Sequence, residues 1–276
     1  MNLDQKYPAL SDLRAAAKKR IPKFVWEYLI SATGSETTPV RNRRQLDKVL
    51  FMPSILHGDF EPDTSATLLG ERYPLPFGVA PVGMSGLIWP HAERKLATAA
   101  TAAGLPYTLS TVACQTPESI GPHVDGKGWF QLYAPRAIDV RKDTLKRVRD
   151  SGFRTLVVTL DVPVASRRER QTRSGLTHPP ALTPRLLAQI AMRPSWALGM
   201  ARAGRPGMPL IASYTQPKIG LPTTAHIGYL IRTAPDWEYL HWIREAWDGP
   251  LVVKGVMQVD EVAGLKAAGG DALWVS

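Results

Sequence analysis

Read for its apolar and polar positions, the chain settles into a regular rhythm near residue 77. Short apolar runs at 77–81, 107–110, 129–133, 155–160, 251–254 and 272–276 are rich in Val, Leu and Thr and do not alternate with polar residues. Runs of that kind predict strands covered on both faces, as in a parallel sheet. Between most of them, apolar residues recur at helical spacing, which predicts helices over 91–103, 138–151, 236–247 and 258–268. Three of these helices run into a glycine, Gly104, Gly152 or Gly269, and then directly into a strand. Glycine supplies the left-handed cap that ends a helix.

The repeat fits either a (β/α)8 barrel or a doubly wound sheet. No G-x-G-x-x-G follows the first run, which counts against a dinucleotide-binding sheet. Polar residues gather where strands end: Ser110, Gln131 with Tyr133, Thr159 with Asp161, and Lys254. In barrels those carboxyl ends face the ligand, so the expected fold is α/β, a (β/α)8 TIM barrel with about six of its eight strands present. Residues 1–50 read as an N-terminal helical preface, with helices over 10–19 and 22–30 and then a basic loop, Arg41-Asn42-Arg43-Arg44. Residues 172–235 read as a long insertion between the fourth and fifth runs, with one short helix at 185–192. The whole chain, 1–276, is taken as a single barrel domain.

Composition refines this picture in two places. The net charge of +10 invites a nucleic-acid partner, but the basicity is local. Residues 172–235 hold no Asp or Glu, while Arg173, Arg185, Arg193, Arg202, Arg205, Lys218 and Arg232 all lie there. No nucleic-acid partner is therefore expected. The single cysteine, Cys114, excludes an internal disulfide and fits a reducing compartment. The first six residues lack the apolar core of a signal peptide, and no apolar run is long enough to span a bilayer. The expected location is the cytoplasm.

Gln131 and Tyr133 flank Leu132 on one strand and so share a face, as do Thr159 and Asp161. One polar residue inside a strand is usually a satisfied core group, but several strands ending this way predict a shared polar site. Lys254, after Val252 and Val253, reads as a Schiff-base nucleophile, an anion clamp, a cofactor neighbour or a snorkelling edge residue. In Arg167-Arg168-Glu169-Arg170 a guanidinium can clamp a carboxylate or phosphate, with Arg167 and Arg170 read as solvated. The histidines (57, 91, 123, 178, 226 and 241) show no metal-ligand spacing and none ends a strand, so neither a metal site nor a general base emerges.

These residues resemble a known family. Pro22-Lys23-Phe24-Val25-Trp26-Glu27-Tyr28, Ala80-Pro81-Val82-Gly83, Leu109-Ser110-Thr111, Phe130-Gln131-Leu132-Tyr133, Thr159-Leu160-Asp161-Val162-Pro163, the Arg-Arg-Glu-Arg run and Val253-Lys254-Gly255 follow the order and spacing of the FMN-dependent α-hydroxy acid dehydrogenases and oxidases. The resemblance implies a (β/α)8 barrel, FMN as cofactor, and oxidation of an (S)-2-hydroxy acid of the lactate or mandelate type. Electrons would pass to a quinone or another acceptor. It implies that Pro81, Val82 and Gly83 run beside the flavin, and that Ser110, Gln131 and Thr159 bond its edge. Lys254 would stabilise negative charge on reduced flavin. Tyr28 and Arg168 would bind the substrate carboxylate, Tyr133 would bond near the substrate hydroxyl, and Asp161 would orient a catalytic histidine. Val112 stands where members acting on glycolate carry tryptophan, which implies a roomier pocket. Ser166 and Gln171 replace the family's usual glycine and aspartate around Arg168.

In the family the last run continues Ser-Asn-His-Gly-Gly-Arg-Gln, whereas here the sequence stops on the serine. The expectation is a C-terminally truncated member, inactive for want of that histidine and a second arginine, and a homotetramer when complete. The basic insertion resembles the segment that docks membrane-associated members, implying a peripheral place on the inner face of the cytoplasmic membrane, with Leu186, Leu187, Ile190, Trp196, Leu198 and Met200 expected to be exposed there beside its cations. Two other readings compete: a barrel remnant with no catalysis, either a decayed gene product or a partner-binding fragment, and a barrel enzyme acting on phosphorylated substrates.

Overall fold

The structure, a computed structural model, describes residues 2–162, 168–176, 182–215 and 233–276. Arg167, Pro163, Ser166 and the stretches 177–181 and 216–232 of the insertion lie outside the described residues. The chain forms two compact units: Met1–Ser65 with Ser166–Pro194, and Ala66–Ala165 with Ser195–Ser276.

The second unit holds the sheet. Strands β1 (Ala66–Leu68) and β2 (Glu71–Tyr73) pair as an antiparallel hairpin that the apolar pattern does not reveal. Five strands follow in parallel: β3 (Thr108–Ser110), β4 (Gly128–Tyr133), β5 (Phe153–Thr159), β6 (Leu251–Lys254) and β7 (Ala272–Trp274). They lie side by side in chain order. Helices Ile138–Asp150, Trp237–Ala246 and Glu261–Ala267 occupy the predicted crossovers, and Ala92–Ala102 precedes β3. Sequential parallel neighbours joined by crossovers form the wall of an α/β barrel.

The predicted strand at 77–81 is reduced to one bridge, Val79 with Tyr107. Val79 donates to Pro106 O and accepts from Thr108 N, but Pro76 and Pro81 on either side have no N–H to extend a ladder. The described sheet thus has five paired strands where six are expected.

Strand geometry sends alternate residues to opposite faces. The helix-facing set (Leu109, Phe130, Leu132, Leu156, Val158, Leu251, Val253) is fully buried and packs on Leu145, Val148, Leu240, Ile243 and Leu265. Burying each such side chain contributes roughly 1.5–3 kcal/mol. The opposite, inner face packs Trp129, Val157 and Val252 against Leu69 from the hairpin turn. Helices stop where predicted, with Gly104, Gly152 and Gly269 at φ 67°, 81° and 88°.

In the first unit, the predicted basic loop at 41–44 is the end of a helix, Thr37–Leu46. Pro39 is tolerated in its first turn, and Arg43 and Arg44 sit in its last turn, where cations favour the helix dipole. Arg43 also pairs with Asp47 at 3.1 Å. Arg170 is not solvated as expected. It pairs with Glu27 at 2.5 Å and Glu36 at 2.8 Å, two carboxylates that hold its positive charge in the fold. The expected short helix of the insertion is present as Pro184–Ala191, capped by the Thr183 hydroxyl. A second helix, Pro194–Ala203, follows it and goes beyond the sequence-based expectation. Among the described residues no helix is long and apolar enough to cross a membrane.

Candidate active site at the carboxyl ends of the strands

Period-two geometry puts Ser110, Gln131, Thr159 and Lys254 on the inner face at the carboxyl ends of four neighbouring strands. Register places them in two steps: Ser110 lies opposite Gln131, while Thr159 lies opposite Lys254 and opposite Tyr133, two residues beyond Gln131. The Gln131 amide joins three strands, its Oε1 accepting from Ser110 Oγ at 3.0 Å and its Nε2 donating to Thr159 Oγ1 at 2.8 Å. All three side chains are buried. Desolvation strengthens such a network and makes it costly to break.

Lys254 Nζ donates to Ser276 Oγ at 2.6 Å and stands 3.8 Å from Asp161 Oδ2. Gly255 turns the chain after β6 at φ 104°, and a Cβ there would meet Asp161 Cβ at 2.6 Å. Only glycine lets the lysine turn and the aspartate loop come so close. Tyr133 is half-buried at the end of β4, and with Val112 and Met208 it packs on Ile211, which gives the site an apolar side. Thr111, absent from the sequence-based candidates, braces this corner. Its hydroxyl donates to Gln131 O at 2.6 Å and accepts from Tyr133 N at 3.1 Å. A threonine next to Ser110 falls on the opposite parity of the strand, so alternation carries no signal for it.

Pro81, Val82 and Gly83 form the loop that follows Val79, and Met84 N just beyond donates to Val112 O at 2.8 Å. Tyr28 and Arg168 belong to the first unit. Tyr28 lies on helix Lys23–Ile30, and Arg168 is the residue before helix Glu169–Ser174. Gln171 Nε2 donates to Tyr28 O at 3.4 Å, and Arg170 binds Glu27 beside it. The unusual Gln171 therefore ties together the two elements that carry Tyr28 and Arg168. His57, His91, His123 and His241 all lie away from strand ends, as read from the sequence; His178 and His226 are outside the described residues.

A model of the FMN-dependent dehydrogenase family matches residues 17–276. The chain belongs to the FMN-dependent dehydrogenase family. It is similar to the L-lactate dehydrogenase of Ectopseudomonas mendocina (strain ymp), 35% identical over 272 residues that cover 97% of this chain and 71% of the relative. It is also similar to the L-lactate dehydrogenase of Xanthobacter autotrophicus (34% identical, 96% and 69% covered). Among solved structures, a monotopic membrane protein, (S)-mandelate dehydrogenase, superposes with a TM-score of 0.88 at 29% identity, covering 96% of this chain and 71% of that one. A mandelate oxidase with (S)-4-hydroxymandelic acid gives 0.75 at 31% identity, with 97% and 69% covered. The fold expected from the strand pattern and the family expected from the motifs agree with these likenesses. Family members are FMN-dependent oxidoreductases, so FMN is the cofactor of this chain's family site.

The donor set suits that cofactor. A flavin ring edge alternates carbonyl oxygens and ring nitrogens, which calls for mixed donors and acceptors together with a cation. The Ser110–Gln131–Thr159 belt and Lys254 supply that mixture, and Trp129, Val157 and Val252 lie one layer deeper as an apolar floor.

Proposed function

We propose that this chain carries the flavin and substrate residues of an (S)-2-hydroxy acid dehydrogenase acting on a lactate- or mandelate-like substrate and yielding the 2-oxo acid. The observation that carries the reading is the hydrogen-bonded belt Ser110–Gln131–Thr159, with Lys254 paired in register with Thr159. The chemistry that bound FMN would supply is two-electron acceptance from the substrate Cα, with a quinone or another acceptor taking the electrons onward. The belt would bond the ring edge, and Pro81, Val82 and Gly83 would lend backbone beside it. The ammonium of Lys254 would offset negative charge on the reduced ring, an electrostatic role that is effective because it is preorganised. Tyr28 and Arg168 would bind the substrate carboxylate, where a guanidinium makes two parallel bonds. Tyr133 would bond near the substrate hydroxyl, with Asp161 orienting the base that removes its proton.

The same proposal gives the insertion a peripheral contact with an anionic membrane surface. Leu187 and Leu198 are 51% and 52% exposed on helices Pro184–Ala191 and Pro194–Ala203, and the segment carries cations without acids. Two of the apolar residues expected at that surface are excluded from it. Leu186 and Trp196 are each 5% exposed, and the Trp196 indole donates to Leu87 O and Ile88 O at 3.2 Å. Ile190 and Met200 are half-buried.

The test is FMN titration of the purified chain, followed by flavin fluorescence quenching. Saturable binding is expected, weakened by Lys254→Met and by Gln131→Leu and unchanged by Leu198→Ser. Absence of flavin binding by the parent chain would sink the reading.

A further inference from the structure

One buried ionisable group takes no part in the proposed chemistry. Glu93, in the first turn of helix Ala92–Ala102, is 1% exposed. Its Oε1 accepts from two backbone amides, Gly86 N and Cys114 N, both at 2.9 Å. Its Oε2 is buried with no hydrogen-bond partner among the described residues. For stability alone this is a poor choice: an apolar side chain would fill the space without the cost of desolvating a carboxylate and leaving one oxygen unmet.

The two amides follow the segments proposed to meet the flavin: Gly86 lies in the short helix Ser85–Ile88 and Cys114 in the loop after β3. Gly86 lies three residues after Gly83, on the segment that Met84 N already ties to Val112 O at 2.8 Å. Cys114 lies four residues after Ser110, whose own oxygens accept from Val112 N at 3.3 Å and Ala113 N at 3.0 Å. The contact is close: a Cβ at Gly86 would meet Cys114 Cβ at 2.6 Å and Glu93 Oε2 at 3.2 Å. Burial and the Glu93 charge together push the Cys114 thiol up to about 12, so it remains a neutral packing group beside the carboxylate.

We infer that Glu93 is a positioning residue for flavin: one carboxylate oxygen, held on a rigid helix, clamps the backbone after Gly83 to the backbone after Ser110. This fixes the distance between the loop beside the flavin and the strand end that bonds its edge. The inference rests on the flavin reading proposed for the site. Its chemistry is specific: it needs an acceptor oxygen at the reach of a glutamate, not a charge as such.

The test uses the full chain with Glu93→Gln, Glu93→Asp and Glu93→Ala, reading FMN affinity, the visible circular dichroism of bound FMN, and amide exchange at Gly86 and Cys114. Glutamine keeps the acceptor and should bind FMN within about threefold of the parent, while aspartate is one methylene short and should weaken binding about tenfold or more, as expected for losing both amide hydrogen bonds. Exchange at both amides should accelerate in the aspartate variant and not in the glutamine variant. If Glu93→Ala fails to fold, the Gln and Asp pair still decides. Folded Asp and Ala variants with parental affinity and spectrum would overturn the inference, as would a glutamine variant as impaired as the aspartate one. A parent chain that binds no FMN would instead remove the flavin reading and this inference with it.

Discussion

The two faces of the sheet are made from alternate residues of the same strands, yet they are built on different terms. The helix face, from Leu109 to Val253, is uniformly apolar and buried. The inner face is graded along the strands. Its middle layer, Trp129, Val157 and Val252, is apolar, whereas its carboxyl ends carry Ser110, Gln131, Thr159 and Lys254. One face contributes free energy of burial. The other gives some of that up to hold polar groups in register. Stability and ligand binding can therefore be damaged separately by changes only one residue apart in sequence.

Neighbouring residues on β4 make the most severe test of that separation. Phe130, fully buried and edge-on to Phe153 at 6.0 Å, faces the helices. Phe130→Ala should cost about 3–5 kcal/mol in denaturant unfolding, with FMN affinity of the folded fraction unchanged. A large fall in affinity at concentrations where the variant stays folded would break the comparison. Gly255→Ala tests the seam between the faces, because φ 104° and the contact with Asp161 both oppose a side chain there. We expect a loss of about 1–3 kcal/mol in thermal unfolding, accompanied by weaker FMN binding because Lys254 must move with the turn. Gln131→Leu reverses the Phe130 pattern: about 1–2 kcal/mol of stability for a severed network, but a rise in FMN Kd of about tenfold or more. Equal effects on folding and binding would show that the belt is ordinary core.

The smallest effect lies outside both faces and serves as a control. Hydrogen bonding from Arg147 holds the Glu118 carboxyl down at about 2, against an ordinary value of 4.5. Glu118 therefore stabilises the native state fully above pH 4.5, and that contribution disappears as the pH falls toward 2. The pair is substantially exposed, so solvent screening keeps its worth below about 1 kcal/mol. Glu118→Gln should flatten the stability profile in that acid window and leave FMN binding untouched, as checked by urea unfolding at stepped pH.

Much of this is legible in the sequence, for reasons that can be named. Apolar runs and glycine caps locate every strand of the parallel ladder, and the carboxyl-end rule selects Ser110, Gln131, Thr159 and Lys254. Where the signal is short or ambiguous, sequence reasoning fails. β1 and β2 have three residues each, too few for a period to register. The arginines at 41–44 resemble a loop because charge masks a helix whose last turn favours cations. Arg170 and Arg168 are indistinguishable as letters; only the placement of Glu27 and Glu36 shows that Arg170 is engaged in the fold. Leu186 and Trp196 show the same limit for apolar residues, since a hydrophobic letter in an insertion does not say whether it faces solvent.

The belt across β3, β4 and β5 also has a direction. The Ser110 hydroxyl gives its proton to Gln131, and the Gln131 amide gives one of its own to Thr159. Each hydroxyl has a single proton, so Ser110 is left with lone pairs to offer, while Thr159 keeps its proton to donate. On the proposed flavin reading, a ring edge laid along the belt would meet an acceptor at the Ser110 end and a donor at the Thr159 end.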